Sequence, residues 1–139
     1  MREHMGLYRG KRTDNGEWVY GNYVYRPKLN GEHYIVTYNA AGSNMWCMVD
    51  PETVGECTGL RDKNGKLIFE GDIIKIPDDY DEYGMNAGEI YQIYFCCGGF
   101  RLKPKRSDAR GYWFEDDNTF EVIGNIHDNP ELLKGESNG

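Results

Sequence analysis

The stretch Thr58–Pro77, TGLRDKNGKLIFEGDIIKIP, decides the fold class. Within it, Lys63-Asn64-Gly65-Lys66 reads as a hairpin turn. A two-residue type I′ loop requires φ > 0 at both central positions, and Asn followed by Gly meets that requirement with least strain. Leu67-Ile68-Phe69 is a short run of strand formers, Glu70-Gly71-Asp72 interrupts it, and Ile73-Ile74-Lys75-Ile76 resumes it. A glycine inside a strand pattern marks a bulge or a bend. Pro77 has no N–H for a ladder, so the second strand ends at or before it. A strand entered through Gly-Asp and continued by β-branched residues suits a small SH3-like barrel, with the Asp side chain tying down a turn. Glu70 and Asp72 flank one glycine and invite an acid–base reading, but no third group stands at a telling spacing. Asn64, Gly65, Gly71 and Asp72 are therefore read as structural.

Outward from this stretch, Arg12–Pro27 repeats its pattern. Arg12 falls on Arg61, Asn15-Gly16 on Asn64-Gly65, Gly21 on Gly71, Asn22 on Asp72 and Pro27 on Pro77, with Glu70 as one extra residue. Spacing of that size fits a repeated β unit, an internal duplication. Convergence is the other reading, because Asn-Gly followed by a strand and a glycine bend is a common local solution.

The remaining strands are read from β-branched and aromatic runs. His33–Tyr38 and Met45–Val49 are two of them, the latter stopped by Asp50-Pro51. Residues 1–10 are a lead or a first edge strand, and His33 is read as a surface or edge residue. Ala87–Cys97 is the longest candidate, apolar or aromatic on both faces, as in a central strand or one buried in a subunit interface. Gly98-Gly99 turns it into Phe100–Lys103. Thr119–Ile126 is the last strand, and Asp128 or Asn129 caps one short C-terminal helix that has Pro130 at its first position. Residues 135–139 fray. The fold class expected is mainly β: small barrel-like units with one C-terminal helix, in a single domain whose β subunits span 1–56 and 57–134.

With 139 residues, 18 of them glycine, the chain favours many turns and short strands over long helices. Sixteen basic against 23 acidic residues leave a net charge of −7. Nucleic-acid affinity rests on neutralising phosphates, so the mean field of this chain opposes it. No apolar run follows Met1-Arg2-Glu3-His4 and no stretch approaches a membrane span, so a cytoplasmic protein is expected. Cys47, Cys57, Cys96 and Cys97 include no C-x-x-C, and the histidines lack ligand spacing with them. Reduced thiols and no metal or other cofactor are expected, with Cys96 and Cys97 as small apolar filler. The run DDYDEYG at 78–84 lacks the glutamate of a calcium loop and is read as a solvated acidic loop.

One basic patch stands out: Arg101, Lys103, Lys105, Arg106 and Arg110, followed by Tyr112 and Trp113. Basic residues beside aromatics bind single-stranded nucleic acid by charge and stacking. A solvated loop beside core aromatics is the plainer reading in so acidic a chain.

The core stretch TGLRDKNGKLIFEGDIIKI closely resembles the hallmark of the YopX family of phages and prophages. Gly10-Lys11-Arg12, Asn15–Gly21, Val49–Gly55, Val122–Ile126 and Asn129–Leu133 also match its pattern. Cys57 replaces an aromatic often found before Thr-Gly, and the resemblance thins between Asp78 and Asp116. It implies a largely β protein of phage origin and carries over no catalytic residue. The functional expectation is an accessory protein without enzymatic activity that binds a host or phage macromolecule, most simply a protein, and that self-associates. The alternative is a nucleic-acid-binding module using residues 101–114.

Overall fold

The computed structural model describes residues 6–78, 88–104, 112–114 and 118–134, with 112 and 113 described by their backbone only. Lys105, Arg106, Arg110, the tail 135–139 and the acidic run beyond Asp78 lie outside the described residues. The chain divides into two compact units, Glu3–Cys57 and Thr58–Gly139, the latter with Met1–Arg2.

In the first unit the strands are β1 (Tyr8–Lys11), β2 (Trp18–Arg26), β3 (Glu32–Tyr38), β4 (Asn44–Met48) and the start of β5 (Gly55–Arg61). Their order is β4-β3-β2-β1-β5, and every pair is antiparallel. The first strand thus lies inside the sheet, not at its edge. A 3-10 turn at Pro51–Thr53 joins β4 to β5, with the Asp50 carboxylate accepting the Glu52 N–H at its start. Thr53 fastens this turn to β1, its hydroxyl accepting the Lys11 N–H at 2.8 Å.

The long strand β2 changes partner in its middle. Trp18–Gly21 pairs with β1 and Asn22–Arg26 pairs with β3. At the changeover the strands approach so closely that a Cβ on Gly21 would stand 2.1 Å from the Val36 carbonyl oxygen. Gly21 is there for space, whereas Gly71 is there for its backbone, with φ +93°. This separates the two stretches aligned in the sequence. Arg12–Pro27 runs through its glycine as one strand, while Arg61–Pro77 breaks at Glu70-Gly71 into β6 (Leu67–Phe69) and β7 (Asp72–Lys75). A Gly21→Ala substitution is expected to destabilise the fold by about 1–3 kcal/mol, measured by urea unfolding.

The second unit holds the rest of β5, β6 and β7, then β8 (Ile90–Cys96), β9 (Gly99–Pro104), β10 (Tyr112–Trp113) and β11 (Glu121–Asn125). Its five-stranded sheet has the order β10-β9-β8-β7-β11. β8 is therefore a central strand, with Tyr91 and Ile93 buried on one face. Ile68, Ile74, Ile76, Tyr91, Ile93, Leu102, Phe114 and Phe120 form the core, with Leu60, Phe100 and Val122 packed against it.

The protein is mainly β and its strands make two antiparallel sheets, but neither closes into the barrel expected from the sequence. Closure needs a full ladder between the two end strands. In the first unit the end of β4 reaches β1 only through an Arg12–Val49 bridge, with Thr13 N–H bonding the Met48 carbonyl and Asp50 N–H bonding that of Lys11. The expected C-terminal helix is a single 3-10 turn, Pro130–Leu133. Asn129 gives it no side-chain cap; its carboxamide oxygen accepts the Asn125 N–H instead.

The Asn64-Gly65 turn is wider than a type I′ loop. Asp62 N–H bonds the Lys66 carbonyl and Gly65 N–H bonds that of Asp62, so three residues form the loop. Only Gly65, at φ +84°, is left-handed; Asn64 is not. This is the type I turn closed by a left-handed glycine. The reason is Asp62, which is 1 % exposed. Its Oδ1 accepts the N–H groups of Asn64 and Lys66, both at 2.9 Å, and its Oδ2 accepts that of Val122 at 3.1 Å. Asp72 acts similarly on a smaller scale, its carboxylate accepting the Phe69 N–H at 2.8 Å across the Gly71 bend. An Asp62→Ala substitution strands three amide donors and is expected to cost about 2–4 kcal/mol in urea unfolding.

Candidate protein-binding surface

The sheet of the first unit presents one aromatic face. Side chains alternate across a strand, and the registers set Asn22 beside Val36 and Trp46, and Val24 beside Tyr34 and Met48. Tyr20, Arg26 and Tyr38 share that face by alternation. Tyr20, Tyr38, Trp46 and Met48 are 48, 62, 44 and 39 % exposed. Trp46 is held edge-on to Tyr34 with centroids 5.5 Å apart, and the Arg26 guanidinium lies 5.4 Å from its ring centre. Farther along, Arg9 and Lys11 lie 4.7 and 5.5 Å from the centre of the Trp18 ring. Cations over aromatic faces orient the rings while leaving part of each open.

The same unit leaves an edge beside this face. Val49 N–H bonds the His33 carbonyl and Asn39 N–H that of Ser43, both at 2.9 Å. Each donor and acceptor are register partners, so by alternation Cys47 and Met45 also point their backbone groups at β3. Asn44, Trp46 and Met48 point theirs away. Thr13 N–H takes the Met48 carbonyl at 3.1 Å. The Trp46 N–H and C=O face the outer edge of β4, where no further strand pairs among the described residues. The strand reads Asn-Met-Trp-Cys-Met: no charge, no proline and no glycine, hence none of the usual guards against edge pairing.

On the opposite face His33 is neither a surface nor an edge residue. It is half-buried on an inner strand, stacked on Tyr25 at 4.4 Å, with its Nδ1 hydrogen-bonded to the Tyr23 hydroxyl at 2.5 Å. Burial pushes the Tyr23 phenol up from its ordinary value.

The basic–aromatic segment is only partly brought together. Arg101 and Lys103 lie on β9, and β10 pairs Tyr112 with Leu102 and Trp113 with Arg101. Lys103 is exposed and Arg101 half-buried. Asn64, Gly65, Gly71 and Asp72 lie in the turns described above. A groove of about 440 Å³ in the second unit is lined by Lys63, Lys75, Ile76, Pro77, Asp78 and Glu121. Both signs of charge line it, and Lys63 pairs with Glu121 at 3.6 Å on the surface, which selects no ligand charge.

Among the described residues no three or more His, Cys, Asp or Glu side chains gather as metal ligands, and no helix is long and apolar enough to cross a membrane. Cys47 and Cys57 are buried; Cys96 is half-exposed and Cys97 exposed, so this last pair is not core filler.

The family described as YopX protein matches residues 7–134. The chain belongs to the YopX family. It is also similar to the SPbeta prophage-derived uncharacterized protein YopX of Bacillus subtilis (strain 168), 31 % identical over 75 residues, covering 51 % of this chain and 53 % of that protein. The chain thus matches about half the length of this curated relative. The crystal structure of protein EF1440 from Enterococcus faecalis is similar at 24 % identity, over 91 % of this chain and 96 % of that one, with a TM-score of 0.48. The YopX signature itself, centred on Thr58–Ile76, lies in the second unit, whereas the aromatic face lies in the first. That face is not legible in the sequence because its residues come from three strands, and only strand register gathers them.

Thiol reactivity should follow exposure. Hydrogen bonding with Cys97, then burial, push the Cys96 thiol up, which lowers its thiolate fraction at a given pH. Under native conditions iodoacetamide should modify Cys97 first, Cys96 later, and Cys47 and Cys57 only on unfolding, as read by peptide mass spectrometry.

Proposed function

We propose that this YopX protein is a non-enzymatic protein-interaction module and that its contact surface is the aromatic face and β4 edge of the first unit. The observation that carries this reading is Trp46, exposed on the face while its backbone N–H and C=O point to the strand edge. Tryptophan, tyrosine, methionine and arginine are the residues enriched at the centres of protein interfaces. An unguarded edge accepts an extended segment as one more strand, with main-chain hydrogen bonds for affinity and side-chain contacts for specificity. The partner segment would set apolar side chains on Tyr20, Trp46 and Met48 and a carboxylate near Arg26. A second copy of the chain can supply such a strand, and mass in solution separates that case from a foreign partner. The cytoplasm of a host cell is the setting this reading assumes.

In a pull-down from host lysate, a protein partner should be retained with or without nuclease. Trp46→Ala and Trp46→Pro should each weaken its binding by about tenfold or more, the first by removing the ring and the second by removing the edge N–H. Retention unchanged in both variants, with circular dichroism showing them folded, would refute this surface.

The second reading, nucleic-acid binding, draws on the pairing of β10 with β9, which brings Tyr112 and Trp113 beside Arg101 and Leu102 along the backbone. It requires affinity for single-stranded oligonucleotides that falls steeply with salt. Absent or salt-insensitive binding in fluorescence anisotropy would exclude it.

A further inference from the structure

The β8–β9 hairpin ends in two adjacent thiols. Cys96 pairs with Gly99, so Cys97-Gly98 is a two-residue turn, with φ of +57° and +86°. Positive φ at both positions is the type I′ geometry, whose first position favours Asn, Asp or Gly. A cysteine there is held against its backbone preference, a signature of residues kept for their side chains. The turn brings the two sulfurs to 3.0 Å. Gly99, opposite Cys96, carries no side chain to cover them.

The spacing decides what such a pair can hold. Disulfide-bonded cysteines normally have Cα atoms about 4.4–6.8 Å apart, and neighbours in sequence are fixed at about 3.8 Å, so direct closure is disfavoured and the thiols remain available. A structural zinc ion needs four ligands, and no third His, Cys, Asp or Glu joins the pair among the described residues. What fits is a soft electrophile that needs two sulfurs and no more.

We propose that Cys96 and Cys97 form a dithiol site for soft electrophiles of the trivalent organoarsenical class, bound through one arsenic atom bridging both sulfurs. With an arsine oxide, each S–H bond is replaced by an S–As bond and the As=O bond is broken. The two thiol protons leave with that oxygen as one water, and no oxidation or reduction takes place. Two attachments on adjacent residues make the second bond intramolecular, which favours the chelate over any single thiol by about 100-fold or more.

Phenylarsine oxide added to the native full chain tests this. Intact mass should show one adduct per chain, with two thiols lost to a colorimetric thiol reagent. Equimolar 2,3-dimercaptopropanol should remove the adduct, and excess 2-mercaptoethanol should not. Cys96→Ser should lower affinity by about 100-fold or more. Cys97→Asn should do the same while suiting the turn, so its loss of binding cannot be ascribed to misfolding. Cys47→Ala should bind as the parent does. An adduct that persists in Cys97→Asn, or one stripped by the monothiol, would overturn the proposal.

Discussion

A single buried carboxylate organises the second unit. Asp62 sits at the end of β5, 1 % exposed, with its oxygens shared among the N–H groups of Asn64, Lys66 and Val122. The first two bonds are local and set the width of the turn. The third spans 60 residues and ties that turn to β11. A carboxylate placed out of water is tolerable only when its oxygens are satisfied, and backbone amides satisfy it without a cationic partner. The register of β11 against β7, including its shift between Val122 and Gly124, is thus anchored at one point. The Thr58 hydroxyl, donating to the Ile68 carbonyl at 2.8 Å, reinforces the same β5–β6 hairpin. The YopX signature is this scaffold, and it explains why so specific a motif names no chemistry.

The first unit is held differently. Its sheet buries Ile35, Cys47 and Val49 on the side where His33 stacks on Tyr25, and on the other side Arg26 and Tyr34 are braced against Trp46. Gly10 and Gly21 both lie close against neighbouring atoms: a Cβ on Gly10 would meet the Val49 side chain at 3.1 Å. Close packing there lets the short β1 sit between β2 and β5. The partial return of β4 toward β1 through the Arg12–Val49 bridge covers one end of β4 and leaves the other open. An apolar face and an open edge on the same strand are what a monomeric sheet ordinarily avoids.

Much of this was legible beforehand. The strands around His33–Tyr38, Met45–Val49 and Thr119–Ile126, the bend at Gly71 and the stop before Pro77 all follow from propensity and turn chemistry, which are local. The Asp72 carboxylate ties that bend through the Phe69 N–H, a contact within four residues. The misreadings share one cause. His33 looked peripheral because its stacking partners Tyr23 and Tyr25 lie across a strand pair. The Asn64-Gly65 turn looked two residues long because the Asp62 side chain that widens it was not counted. Cys96 and Cys97 looked like filler because Gly98-Gly99 reads as the turn, whereas the turn is Cys97-Gly98.

By itself, then, the sequence determined the mainly β character, the family and the position of most strands, because side-chain periodicity and backbone preferences act over a few residues. Only the tertiary structure decided that the sheets stay open, that Gly21 and Gly71 serve different ends, and that Trp46 stands on an exposed face beside an edge that no described strand pairs. Those outcomes depend on strand register and order, which are set by contacts between residues distant along the chain, and no short stretch encodes them.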